Sequence, residues 1–158
     1  MVKTRHEIVL NSLSCLIIVA QIIFLLIKWP SISNEVPTHF NLAGIPDGFG
    51  SKYNLLLLPI VSVGLFYGMR ALYRIKYDGY LANYDENIAN KLFSLYRSWT
   101  SLTLTGTTLF FFSLLYFSIQ NSRDIPNWII IIYFSVLLGS VVVYGIREVF
   151  LKKNSKHH

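Results

Sequence analysis

The stretch SWTSLTLTGTTLFFFSLLYFSIQNS, residues 98–122, decides the fold because it contains no Asp, Glu, Lys or Arg. An α-helix of about 20 apolar residues crosses the roughly 30 Å of hydrocarbon in a bilayer. Working outward from this stretch, three other windows are similarly long and largely uncharged. The sequence therefore predicts four transmembrane helices, at about 8–29, 53–75, 98–121 and 125–147.

Composition supports the same class. Of the 158 residues, 53% are hydrophobic and only 14% are charged, whereas a soluble domain carries about 25% charged residues. The predicted fold is a single all-α integral membrane domain, residues 1–156, with the lipid bilayer as its surroundings. His157 and His158 are set aside as a candidate tag remnant. No basic patch stands apart from the helix ends, so a nucleic-acid partner is not expected.

Basic residues are distributed unevenly between the two ends of the predicted helices. Only Lys28, Lys52 and Arg123 fall on one side, and the other side carries Lys3, Arg5, Arg70, Arg74, Lys76, Lys91, Arg97, Arg147, Lys152, Lys153 and Lys156. The positive-inside rule places both termini and the middle loop in the cytoplasm. We expect a multi-pass membrane protein with residues 30–52 facing outward.

Polar side chains in the middle of the predicted spans are uncharged, and Lys28, Arg70, Arg74 and Arg147 fall near span ends. Ionisable residues at mid-membrane depth are typical of ion pathways and proton relays, and none is found at that depth here. This absence argues against a channel or a proton-driven pump. Asn11 and Gln21 in the first span are expected to pack against other helices.

The loop at 30–52 is polar and rich in turn-forming residues, and is expected to be ordered and folded onto the helix ends. Its sequence Ile45-Pro46-Asp47-Gly48 is typical of a β-turn, with Gly48 free to take a positive φ. The residues expected to shape the loop are Pro37, Gly44, Pro46, Gly48 and Gly50.

The same loop contains the candidate functional residues. Aromatic and polar side chains are interleaved as in small-ligand sites, and the predicted ligand-binding residues are His39, Phe40, Asn41, Asp47 and Phe49. A metal site formed by Glu35, His39 and Asp47 is an alternative, although zinc normally takes at least three protein ligands. A hydrolase triad of Ser51, His39 and Asp47 has no supporting strand-elbow context. A structural role for His39 is the remaining alternative.

A second candidate surface is the segment 77–93, in which apolar residues recur at helical spacing. The pattern predicts an amphipathic helix at the cytoplasmic interface. Its candidate partner-docking residues are Tyr77, Tyr80, Tyr84 and Ile88.

The loop also resembles a known family. The string PTHFNLAGIPDGFGSK, residues 37–52, is similar to the signature loop of the bacterial SdpI-type immunity family, which contains the domain of unknown function 1648. The resemblance implies a multi-spanning protein of a bacterial plasma membrane that protects its cell from a secreted antimicrobial peptide. SdpI-type proteins carry further spans after this unit, whereas four are predicted here.

Three functions follow from these expectations. The first is toxin immunity by binding a secreted antimicrobial peptide through the outer loop, with neither catalysis nor a cofactor. The alternative is a membrane sensor or accessory subunit that signals through 77–93 to a cytoplasmic regulator or transporter. The third is a metal-dependent membrane enzyme.

Overall fold

A computed structural model describes residues 4–79, 84–120 and 124–154 of the chain, without the side chains of 72–79 and 154. Four long helices dominate it: α1 (Arg5–Lys28), α2 (Leu57–Gly79), α3 (Glu86–Ile119) and α4 (Asn127–Asn154). All four are long and apolar enough to cross a membrane. The expectation of a mostly helical protein with four candidate spans is confirmed.

Helix α3 is longer than its predicted span and lies at the centre of the bundle, in contact with the other three helices. It begins at Glu86, so residues 86–93 are its first turns rather than a separate interfacial helix. No proline or glycine interrupts the chain between Asp85 and Gly106, and Ala89, Leu92 and Tyr96 are buried along this part of the helix. Its 34 residues extend over about 51 Å, well beyond a hydrocarbon core of roughly 30 Å.

Helix α4 contributes least to the protein interior. Only 11% of its most apolar window is buried, and Ile131, Leu138 and Val142 are more than half exposed. In water such a surface would be costly, at about 25 cal/mol per Å² of apolar area. Contact with lipid acyl chains removes that cost, so α4 is suited to a bilayer.

Between α1 and α2 the chain forms a β-hairpin where the sequence predicted an ordered loop. Strand β1 (Glu35–Phe40) pairs antiparallel with strand β2 (Pro46–Ser51). Short 3-10 turns, Trp29–Ser31 and Lys52–Leu56, join the hairpin to α1 and α2. The hairpin thus lies at the bundle end where α1 and α3 finish and where α2 and α4 begin, here called the hairpin end.

A hydrophobic cluster fixes the hairpin on the helix ends. Val36 is 1% exposed and packs with Leu25 of α1, Leu55 and Leu115 of α3. Strand β1 therefore contributes to the core of the bundle. The expectation that the loop folds back on the helices agrees with this packing.

Aromatic side chains surround the hairpin end. Trp29 and Tyr53 meet edge to face with ring centroids 5.5 Å apart, and Lys52 Nζ lies 5.2 Å from the Trp29 ring. Trp128, at the start of α4, is largely exposed. Trp and Tyr are enriched where a membrane protein passes the lipid headgroups, so this end has the chemistry of a bilayer interface.

Candidate ligand site at the hairpin

The turn of the hairpin is built by Asn41, one residue after β1. Its side-chain Oδ1 accepts the backbone N–H groups of Ala43 and Ile45 at 2.9 and 3.1 Å. Its backbone C=O accepts the N–H of Gly44 at 2.9 Å. The turn therefore spans residues 41–45, and the prediction of a turn at residues 45–48 is wrong. Gly48 lies in β2, opposite His39, because pairing with β1 overrides the local turn preference of Pro-Asp-Gly.

Gly44 takes the positive φ that was expected of Gly48, at 78°. Its C=O accepts the N–H of Ile125 at 2.8 Å, and Ile125 itself is buried. A Cβ at position 44 would lie 2.1 Å from the Ile125 carbonyl oxygen. The hairpin tip is thus held against the segment that leads into α4, at a distance that requires glycine.

His39 and Asp47 are brought together across the hairpin. His39 Nδ1 lies 2.5 Å from Asp47 Oδ1, and their side chains are 72% and 45% exposed. The strand register shifts on both sides of His39, which leaves Thr38 of β1 and Asp47 of β2 as the extra residues of an irregular, bulged pairing. Bulges re-aim side chains, and this one accompanies the contact between the carboxylate and the imidazole. The pair is solvent-facing and available to a ligand.

The other residues of the predicted ligand site are more widely placed. The carboxamide oxygen of Asn41 is used in the turn. Phe40 is half-buried, whereas Phe49 is 59% exposed and does not pack as a loop anchor. Leu42, which the sequence reasoning did not select, is 85% exposed at the tip.

The candidate metal ligands do not converge. Glu35 pairs with Ser51 at the opposite end of the hairpin from His39, four residues along the strand or about 13 Å. Ser51 pairs with Glu35 at that same end of the hairpin, so it is similarly separated from His39 and Asp47, the other two residues of the hydrolase hypothesis. Its Oγ accepts the N–H of Tyr53. Among the side chains that the structure describes, no three from His, Cys, Asp or Glu form a group suited to a metal ion.

A cavity of about 400 Å³ lies between the hairpin and the ends of α2, α3 and α4. Strand β1 and the turn form one wall from Pro37 to Leu42, and Leu58, Phe110 and Phe134 form apolar walls opposite. His39, Asn41 and Asn54 supply the polar part of the lining. The volume lies in the range of small-ligand sites, about 300–1,000 Å³.

Residues 16–63 match a family model described as Domain of unknown function (DUF1648). The DUF1648 segment, residues 16–63, contains the second half of α1, the whole hairpin and the start of α2. It thus includes the His39–Asp47 pair and the hairpin wall of the cavity, whereas α3 and α4 lie outside it. Comparison with curated proteins and with solved structures found no match.

Sequence reasoning missed a series of polar contacts between α1 and α3. Near the chain start, Glu7 Oε2 lies 2.8 Å from Arg97 Nη2, and the side chains are only 2% and 11% exposed. The series continues with Asn11 to Ser101 at 3.1 Å and Ser14 to Thr105 at 2.8 Å. Both residue numbers rise together, so α1 and α3 run parallel. The signal was present in the sequence, because Glu7, Ser14 and Gln21 recur every seven residues.

Gln21 ends this polar series and joins a third helix to it. Its Nε2 donates to the Thr108 C=O at 2.7 Å, and its Oε1 accepts from Ser62 of α2 at 3.1 Å. The expectation that Asn11 and Gln21 pack against other helices is confirmed.

The predicted partner-docking residues are only partly described. Tyr80 and the side chain of Tyr77 lie outside the described part of the chain. Tyr84 and Ile88 pack against the buried cluster of Ala89, Leu92 and Tyr96. These two side chains therefore contribute to packing within the bundle.

Proposed function

We propose that the chain is a membrane-bound immunity protein that binds a secreted antimicrobial peptide at the hairpin, facing out of the cell. The observation that carries the proposal is the cavity of about 400 Å³ lined in part by His39, whose imidazole contacts the exposed Asp47 carboxylate. An apolar side chain of the peptide would enter the cavity, and exposed Leu42 and Phe49 would add contact area at the tip. His39 and Asp47 would bond to the peptide's polar groups.

The resemblance of residues 37–52 to the SdpI-type loop supports the same function. The DUF1648 segment coincides with the hairpin and its supporting helix ends. The sensor alternative has less support, because Tyr84 and Ile88 already pack within the bundle. Metal-dependent catalysis is less favoured because Glu35 is remote from His39.

The test is survival of a sensitive bacterial strain that expresses the chain, challenged with a panel of purified secreted antimicrobial peptides. We expect protection against at least one peptide, and its loss in His39→Ala, in Asp47→Ala and in Phe49→Ser at unchanged membrane levels. Glu35→Gln is the matched control, an exposed charge on the same hairpin outside the cavity, and should protect like the parent chain. Full protection by all three hairpin variants would refute binding at this site.

A further inference from the structure

A second cavity, of about 590 Å³, lies at the end of the bundle opposite the hairpin. It is bounded by the first turn of α1, the first turns of α3 and the last turns of α4. Leu95, Tyr144 and Phe150 give it apolar walls, and His6, Ser94 and Ser98 give it a polar side. Lys91 and Arg147 add two exposed positive charges from two different helices.

The positive charge of this cavity is not neutralised within its lining, since none of the described lining residues is acidic. Glu7 follows His6 in the chain, but its carboxylate contacts Arg97 and Ser98. Glu148 follows Arg147, and its carboxylate accepts bonds from Tyr96 and Lys152. The two neighbouring carboxylates are thus engaged elsewhere, and the cavity favours an anion.

We propose that this cavity is a binding site for an anionic glycerophospholipid of the surrounding membrane. The headgroup phosphate would lie between Lys91 and Arg147, within reach of the Ser94 hydroxyl. An arginine side chain can donate two parallel N–H hydrogen bonds to one phosphate, and a lysine side chain adds a compact positive charge.

The apolar part of the cavity distinguishes a lipid from a free phosphate ion. Its wall includes Ile146 and Phe150, which are 65% and 64% exposed on the face of α4. From there the exposed apolar surface continues along α4 through Val142. An acyl chain attached to the bound phosphate would lie along this surface, whereas a free phosphate would gain nothing from it.

The position of this cavity in the bundle also favours an anionic lipid. Basic residues concentrate at this end, which the positive-inside rule assigns to the cytoplasmic leaflet. Basic pockets between helices on that side are suited to anionic headgroups. A lipid held here would link α1, α3 and α4.

The test is native mass spectrometry of the full chain in detergent, with dioleoylphosphatidylglycerol competing against dioleoylphosphatidylcholine. We expect preferential retention of phosphatidylglycerol, reduced about fivefold in Lys91→Gln and in Arg147→Gln, as the loss of one basic side chain at a lipid surface implies. Arg5→Gln removes an exposed charge at the same end of the bundle but outside the cavity and the apolar groove of α4, and should retain the preference.

Ser94→Phe tests the site without changing charge, because the larger side chain would fill the cavity. It should also lower phosphatidylglycerol retention, with helical content by circular dichroism unchanged. Equal retention in the parent chain, in both charge variants and in Ser94→Phe would overturn the proposal. Inorganic phosphate raising the unfolding temperature as much as phosphatidylglycerol would also overturn it, because the site would then bind a free anion.

Discussion

At the scale of single residues, Gly44 joins the hairpin to the rest of the molecule. Its positive φ and its contact with Ile125 both exclude a side chain. The neighbouring Asn41 uses its carboxamide oxygen to hold the turn that presents Gly44. A substitution at Gly44 should therefore disturb the turn and its docking together.

We predict that Gly44→Ala lowers the free energy of unfolding by about 2 kcal/mol or more, through left-handed strain and overpacking against Ile125. The measurement is reversible unfolding in mixed micelles, with protease cleavage after Lys52 as a local readout. Gly64→Ala is the control, since a Cβ there meets no atom within 4 Å, and it should be neutral or mildly stabilising. Stability equal to the parent in Gly44→Ala would contradict the observed docking.

At the scale of elements, the parallel pair α1 and α3 is held by side-chain hydrogen bonds in register. Ser14 and Thr105 contact each other at 2.8 Å, and each also bonds to a backbone C=O of α1 or α3. In a bilayer the hydrophobic effect does not drive helices together, so packing and such bonds determine how they associate.

We predict a coupling free energy of about 0.6 kcal/mol between Ser14→Ala and Thr105→Val in a double-mutant cycle, the average for such bonds in membranes. Unfolding in mixed micelles of the parent, the two single variants and the double variant gives the value. Within the described part of the chain, Ser113 bonds only within its own helix, to the Leu109 C=O at 3.1 Å. The Ser14–Ser113 cycle should therefore show no coupling free energy. Equal coupling in the two cycles would rule out a direct contribution from the Ser14–Thr105 bond.

The helices were predictable, and the hairpin was not, for a physical reason. Length and absence of charge are local properties, and they sufficed to locate four spans. The segments EVPTHF and PDGFGS contain Pro37, Gly48 and Gly50, which weaken any strand prediction. Their pairing depends on the burial of Val36 and on the contact with Ile125, which lies far away in the sequence.

The candidate sites show the same contrast between features that local sequence predicts and features that depend on distant residues. His39 and Asp47 were selected by residue type within one loop, and the structure places them in contact. The Glu7–Arg97 pair was missed because the two residues are 90 positions apart. The charge distribution assigned Arg97 to the middle loop. The structure places it beside α1 because α3 begins at Glu86, before the start of the predicted span.

At the scale of the whole molecule, the exposed apolar faces, the aromatic residues at the hairpin end and the basic residues at the other end indicate a bilayer-spanning bundle. Both α1 and α3 point toward the hairpin end, and α2 and α4 point away from it. The uneven distribution of Lys and Arg then predicts the orientation.

We predict that the hairpin faces the outside and that the end of α4 faces the cytoplasm. The measurement is labelling with a membrane-impermeant maleimide, using Ser51→Cys and Lys153→Cys in a Cys15→Ser background. Cys15 is exposed on α1, so its removal leaves a single thiol in each variant. Residue 51 should react in intact cells and residue 153 only after permeabilisation. The reverse pattern would invert the topology.

The contact between Gly44 and Ile125 also sets an order of events during synthesis. Ile125 leaves the ribosome 81 residues after Gly44, so in the predicted orientation the hairpin tip would cross the membrane before its docking partner is synthesised. Until residue 125 has been synthesised, the Gly44 C=O lacks the Ile125 N–H that it accepts in the folded bundle. In a nascent chain arrested before Ile125, external protease should therefore cleave the hairpin. After release of the arrest, the hairpin should dock and become protected from cleavage.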